Sequence, residues 1–311
     1  MSNEERYPVK GKYLISVATY MRPEGLGRLL DSLAVGTNSC ADVVIVDNDP
    51  VGSARALAEA HPAATYYTIQ PEAGIAQARN AGLEFFTTEY DGIIFVDDDE
   101  WVDEGWLYAL TSYLVTSGAD VVQGPVMTVL PEDCPEWIRR GGFFQRERVA
   151  SGFRLLSAAT NNTIMTRNAW VRAGEPRFDT SFSETGGSDW DFFWGLRLSG
   201  ALIVYCNEAI VSEDVPASRL NARWLIRRST RSGIVHSRVR VKYCDHPYRA
   251  VLKGIPRAGY YALLLMRGIV VSRMIPAKPF NVMSFEVGKV LGLAGYRTYE
   301  YRRTDDGVSV A

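Results

Sequence analysis

Along the first half of the chain, short unbroken apolar runs alternate with stretches whose apolar residues recur every three or four positions. Residues 13–20 (YLISVATY) read as a buried strand, and Leu26, Leu29, Leu30 and Leu33 then follow at helical spacing. The alternation repeats as strand 41–49, helix 53–62, strand 65–70, helix 74–86, strand 92–100, helix 104–118 and strand 119–129. Strands separated by helices of this length imply βαβ units and a mostly parallel sheet. Such sheets bind ligands beyond the carboxyl ends of their strands. Two strands deliver acids to that edge, at Asp47-Asn48-Asp49 and at Asp97-Asp98-Asp99-Glu100.

After Pro131 the pattern loosens into a loop-rich excursion. Residues 160–174 read as strand then helix, 178–191 as a loop, 190–200 as a helix ended by Gly200, and 201–214 as a further strand. Two apolar segments close the chain, 258–275 and 279–296. Arg267 would lie in the middle of a membrane span, which argues against a transmembrane helix. The segments fit either an interfacial amphipathic pair with basic flanks or a buried hairpin packed on the preceding domain.

Charge sharpens that choice. The net charge is −2, yet residues 217–311 hold 18 Lys and Arg against 5 Asp and Glu, so the remainder is strongly acidic. A basic end of this kind implies an anionic partner: membrane, nucleic acid or phosphorylated substrate. The run Leu263-Leu264-Leu265 favours lipid over nucleic acid. Composition is otherwise that of a globular protein, 47 % hydrophobic and 23 % charged. The polar first residues have no signal-peptide core, so the chain is expected in the cytoplasm. Four scattered cysteines form no CxxC pair, and three histidines are too dispersed for a histidine-based metal site.

The acidic run carries the most chemistry. Three carboxylates after IIFV are costly to ionise together without a cation. Mg²⁺ and Mn²⁺ bind one or two carboxylates plus substrate phosphates. Alternate strand side chains point one way, so Asp97 and Asp99 would face one ligand while Asp98 points elsewhere. Asp47 can accept hydrogen bonds from a base or ribose, or form an ordinary Asx turn. Arg22 and Arg79 are natural partners of a diphosphate. Asp189, in a Gly-rich loop opening a helix, is a candidate base for an acceptor hydroxyl; helix capping and the rival Asp191 stay open.

These residues resemble family-2 inverting glycosyltransferases of GT-A fold, most like the bacterial exopolysaccharide enzymes of succinoglycan glucosyltransferase type. The resemblance rests on VATYMRP, VVIVDND, EAGIAQARNAGL, FVDDDEWVDEGWL, GPV, RRGGFF, TNN, TGGSDWDFF and EDVPASRLNARWLIRR, in order across residues 13–232. It implies a doubly wound, mostly parallel nucleotide-binding sheet over 1–232 and a basic, apolar helical extension over 233–311, expected to associate with membrane. Thr19, Arg22, Asp47, Arg79, Asp97 and Asp98 would bind the donor, and Asp99 with Asp97 would hold Mn²⁺ or Mg²⁺. Asp189 would be the base, with Trp190, Asp191, Asn161, Arg223 and Trp224 toward the acceptor.

Two positions depart from the family pattern: Ser188 replaces a glutamate before the base, and Ser212 a histidine metal ligand, leaving Glu213 or Asp214 as substitutes. The expected reaction moves a sugar, from a UDP-hexose donor, to a saccharide or polyprenyl-diphosphate-linked acceptor. It would occur at an anionic membrane surface on the inner face of the plasma membrane. The rivals are a sugar-phosphate nucleotidyltransferase, whose Gly-rich N-terminal loop is missing from VATYMRPEGL, and a catalytically inactive GT-A-like binding protein.

Overall fold

The computed structural model describes residues 6–36, 40–246 and 248–299. They form two compact units. The first comprises the chain up to Met127 and Arg146–Glu213; the second comprises Thr128–Gln145 and Asp214–Tyr299.

The first unit begins with β1 (Tyr13–Thr19), α1 (Pro23–Gly36), β2 (Ala41–Asp47), α2 (Arg55–Ala60), β3 (Tyr66–Ile69), α3 (Ile75–Leu83) and β4 (Gly92–Asp97). There follow β5 (Glu100–Val102), α4 (Trp106–Ser117), β6 (Val121–Gln123) and β7 (Val126–Val129). In α1, Pro23 stands at the first helical position, where its missing N–H costs nothing. The predicted helical stripe Leu26, Leu29, Leu30 and Leu33 is fully buried.

Where one strand is expected over 119–129, two form. Gly124-Pro125 breaks the run, because proline has no N–H to donate and a Cβ at Gly124 would strike the Ala209 carbonyl. The run 201–214 likewise splits, into β9 (Ile203–Tyr205) and β10 (Val211–Asp214). Before these come β8 (Thr163–Thr166), α5 (Glu136–Gly141, second unit), α6 (Arg167–Arg172) and α7 (Ser188–Leu198). Thr166 caps α6, its hydroxyl accepting from the Ala169 N–H at 3.2 Å.

Seven strands make the main sheet in the order β3-β2-β1-β4-β8-β6-β9. β1–β2, β1–β4, β2–β3 and β6–β9 run parallel; β8 is inserted antiparallel to both β4 and β6. Alternate side chains feed two cores. Ile15, Val17, Ile45 and Val96 pack with α1 and α4 on one face. Leu14, Val44, Val46 and Phe95 pack with Ala76, Leu83, Phe178 and Phe193 on the other. The sheet is therefore doubly wound, with β2, β1 and β4 ending side by side. Beyond it, β5 pairs antiparallel with β10, setting Glu100 opposite Glu213.

The second unit is helical: α5, α8 (Ala222–Tyr243), α9 (Tyr248–Leu252), α10 (Gly254–Ser272) and α11 (Ala277–Leu293). Residues 232 and 233, where the sequence suggests a boundary, lie inside α8. α8 and α11 touch backbone to backbone: a Cβ at Gly233 would collide with the Phe285 carbonyl, and one at Gly288 with that of Thr230. Ser237 Oγ donates to the Lys289 carbonyl at 2.8 Å across the same seam. A third core joins Ile138, Phe143, Phe144, Leu225 and Ala277.

Candidate active site at the strand ends

The ends of β1 and β4 are tied together by the acidic run. Thr19 Oγ1 donates to Asp98 Oδ2 at 2.8 Å. Arg22 Nη1 reaches both Asp98 Oδ1, at 3.1 Å, and Asp99 Oδ2, at 3.0 Å. α1 must approach closely for this, and a Cβ at Gly25 would lie 2.8 Å from the Asp98 carbonyl oxygen. Arg79, from α3, stands 3.6 Å from Asp97 Oδ1 and donates to Ser188 Oγ at 3.3 Å. One connected network thus links β1, β4, α3 and the start of α7.

Crowded carboxylates raise one another's proton affinity. Burial pushes Asp98 up to about 6, with Arg22 opposing and Asp99 adding to it. Asp97 also rises to about 6: loss of bulk solvent outweighs Arg79, and Asp99, Asp189 and Glu213 add repulsion. The Asp97 side chain is still 42 % exposed, so a ligand can reach it. Glu100 is fully buried and held well above the ordinary carboxylate range, chiefly by that burial. Its Oε2 accepts from the Asp97 N–H at 2.9 Å, while Oε1 has no hydrogen-bond partner among the described residues. Glu100 braces the turn, whereas Asp97 and Asp99 present oxygens outward.

Asp189 lies in the first turn of α7, whose cap is Gly187 in the left-handed region. Asp189 is therefore not the N-cap residue itself. Its Oδ1 accepts from the Trp190 N–H at 2.8 Å, which orients the carboxylate. Asp191 is buried on the same turn, and the Trp190 ring stacks on Trp194 with centroids 6.0 Å apart.

Asp47 is fully buried and engaged. Oδ1 accepts from Asp49 N–H at 3.0 Å, and Oδ2 accepts from Ala54 N–H at 2.8 Å and Tyr67 OH at 3.0 Å. Burial and that bond push the Tyr67 hydroxyl up to about 12. Asn48 locks the loop into α3, donating to the Gln70 and Glu72 carbonyls and accepting from Gly74 N–H. The Asx-turn reading of 47–49 is thus realised in the fold.

Asn161 keeps a buried Oδ1 with no hydrogen-bond partner among the described residues. Its neighbour Asn162 is structural: it accepts from Trp106 Nε1 at 2.8 Å and donates to the Pro125 and Ala209 carbonyls. A positive φ of 60° and full burial mark it, and neither is visible in the two adjacent asparagines of TNN. Arg146 is a second residue without a sequence signal; it pairs with Glu213 at 2.6 Å. Ser212 lies opposite Trp101 in the β5–β10 pair. Arg223 and Trp224 belong to the second unit, on the first turn of α8, where Trp224 stacks on Phe144 at 5.7 Å.

A doubly wound sheet with an inserted antiparallel strand and an acid-tipped β4 beside β1 is the GT-A architecture of glycosyltransferases. The model of the family described as glycosyl transferase family 2 matches residues 15–172, and the chain belongs to that family. It is 37 % identical over 232 residues to succinoglycan biosynthesis protein ExoM of Rhizobium meliloti (strain 1021), covering 72 % of this chain and 74 % of that protein. Over 119 residues it is 26 % identical to glycosyltransferase GlyA of Streptococcus pneumoniae serotype 4, covering 37 % of this chain and 17 % of GlyA.

Among solved structures, S. aureus TarS superposes with a TM-score of 0.53 at 13 % identity, over 90 % of this chain and 55 % of that one. GalNAc-T7, solved with UDP, GalNAc and Mn²⁺, gives 0.52 at 12 % identity over 72 % and 48 %. The chain spans about half the length of each, and at these identities the likeness is one of fold.

Proposed function

We propose that this glycosyltransferase is a metal-dependent, inverting hexosyltransferase of exopolysaccharide biosynthesis. Its donor is a nucleotide sugar, a UDP-hexose, and its acceptor a saccharide or a polyprenyl-diphosphate-linked saccharide. The observation that carries the reading is the network Thr19–Asp98–Arg22–Asp99 beside Asp97–Arg79–Ser188, with Asp189 close enough to raise Asp97. ExoM, by its name a succinoglycan biosynthesis protein, supports the polysaccharide context.

The residues fit a divalent ion as a partial site. Among the described residues, no group of three or more His, Cys, Asp or Glu side chains is arranged to hold a metal. Asp97 and Asp99 supply two hard carboxylates, which suits Mn²⁺ or Mg²⁺ sharing its remaining positions with donor phosphates and water. Burial first, and repulsion among the acids after it, raises the proton affinity of Asp97 and Asp98 even beside Arg79 and Arg22, a cost that a bound cation would relieve. When bound, the ion supplies positive charge to the leaving diphosphate. Glu213 is committed to Arg146 and is not needed in that set.

The chain's own residues do the rest. Arg22 and Arg79 line the diphosphate side with fixed guanidinium charge. Asp98, held by Thr19 and Arg22, faces the ribose or sugar, and Asp47 shapes the base end. Asp189 takes the proton of the acceptor hydroxyl as that oxygen bonds to the anomeric carbon and the bond to the diphosphate oxygen breaks. A single in-line displacement inverts the anomeric configuration. Trp190, Asp191 and Asn161 shape the acceptor side, and the family resemblance adds Arg223 and Trp224 to the acceptor-binding residues.

The enzyme works as a peripheral protein on the inner face of the plasma membrane, its 233–311 region resting on anionic lipid. No helix among the described residues is long and apolar enough to cross a membrane. Assaying a panel of UDP- and GDP-sugars with Mn²⁺ and oligosaccharide acceptors should give transfer from one UDP-hexose, abolished in Asp99→Ala. No turnover in the wild type with any donor, or unchanged turnover in Asp99→Ala, overturns the reading.

A further inference from the structure

Wholly within the second unit lies a cavity of about 610 Å³, walled by the end of α8, the loop after it, α9, the start of α10 and one face of α11. Arg240, Arg249, Lys253, Arg257 and Lys289 line it, against only Asp245 and Glu286. With its histidines left aside, the wall carries a net of three positive charges. The counterions are partly spent: Glu286, buried at the floor, pairs with Lys289 and lies 4.0 Å from Arg257 Nη1. Among the described residues, Arg249 and Lys253 have no ion-pair partner, and both are exposed at the rim. A Cβ at Gly254 would collide with the Glu286 carboxylate, so the backbone is drawn in to make the floor. The potential is felt by His236, pushed down to about 4 by burial and then by Arg240 and Lys289.

α10 starts at this rim and, Gly254 aside, buries none of its described residues. Tyr260, Leu263, Met266 and Val270 recur at helical spacing on its open side, with Leu263 63 % and Val270 77 % exposed. Contiguous apolar surface of this kind marks an interaction site. A nucleic acid would satisfy the cations and leave this stripe in water. A lipid surface satisfies both, with acyl chains for the stripe and phosphate for the cavity.

We propose that the cavity seats the phosphate or diphosphate head of a membrane amphiphile while the apolar stripe of α10 lies in the acyl layer. The proposal rests on the membrane-surface reading above and adds a defined headgroup site to it. Arg267, exposed on α10 among these apolar residues, reaches headgroup level by its long stem.

The test is co-sedimentation of the full chain with vesicles of phosphatidylcholine alone and with added phosphatidic acid, with and without inorganic pyrophosphate. Wild type should prefer the phosphatidic acid vesicles by on the order of tenfold or more, and pyrophosphate should reduce that preference. Arg249→Gln with Lys253→Gln, at two exposed positions, should lose the preference and keep weak binding to phosphatidylcholine. Leu263→Glu with Val270→Glu should lose binding to both. An undiminished preference in the Arg249→Gln/Lys253→Gln protein overturns the headgroup site. So does RNA that binds more tightly than vesicles and is unaffected by the Leu263→Glu/Val270→Glu pair. Equal wild-type binding to both vesicles sinks the headgroup site but leaves membrane association standing, whereas binding to neither sinks both.

Discussion

The two units solve opposite electrostatic problems with the same kind of element, a buried or half-buried charge cluster. In the strand unit, Asp97, Asp98 and Glu100 are gathered at one sheet edge, and burial raises the proton affinity of each. In the helical unit, Arg240 and Lys289 crowd His236 and depress its basicity. One cluster gathers acids around Arg22 and Arg79, and the other gathers cations around Glu286 and Asp245. Neither arrangement is what stability alone would select, since crowding like charges with limited access to water costs free energy. That cost is one that a bound ligand of opposite charge would relieve.

The comparison breaks most sharply at Asp189. Asp189→Asn should lower kcat by roughly 10²- to 10⁴-fold, the usual contribution of a general base. Donor-induced thermal stabilisation should persist, and Asp191→Asn should retain more activity. Equal losses in the two variants would remove Asp189's special role.

Next in size is the scaffold of the strand unit. Asn162→Ala leaves the Trp106 indole N–H and the Pro125 and Ala209 carbonyls without their partner, costing roughly 2–4 kcal/mol. Urea denaturation read through unit-resolved amide exchange should show the loss in the first unit. Gly288→Leu tests the second unit in the same way. A side chain there must push α11 off the Thr230 carbonyl, at about 1–3 kcal/mol.

The smallest effect concerns pH, and there the two units should move in opposite directions. Asp97 and Asp98 have folded values raised from 3.8 to about 6. Their contribution to stability is fully present below 3.8 and is lost as pH rises through 6. His236 is lowered from 6.5 to about 4, so its contribution is present above 6.5 and is lost as pH falls through 4. Acidifying from pH 6.5 to 4.5 should therefore favour the first unit and weaken the second. Saturating Mn²⁺ should flatten the first slope and His236→Gln the second; parallel slopes would refute the contrast.

Much of this was legible in the chain itself. The apolar runs and the leucine stripe of α1 determined the doubly wound sheet, because burial at period two or 3.6 is a local constraint. The strand-end acids and the charge split of the tail were equally readable from position and type, whereas Asp189 and Asp191 were barely separable by them. Tertiary structure alone decided which acids work together. The sequence does not say that Glu100 turns inward while Asp97 stays half-open, or that Asp47 is absorbed by the 49–54 turn. Nor does it pair Arg146 with Glu213, or make Asn162 rather than Asn161 the bracket between Trp106 and two carbonyls. Each of those outcomes joins residues 37 to 67 positions apart or depends on the orientation of a single side chain. The same holds for the basic cavity: the charges are written along the tail, but only the Gly233–Gly288 crossing and the approach of Gly254 to Glu286 gather them around one space. Local pattern fixes what each segment can be, whereas long-range packing fixes which charges must share a dielectric.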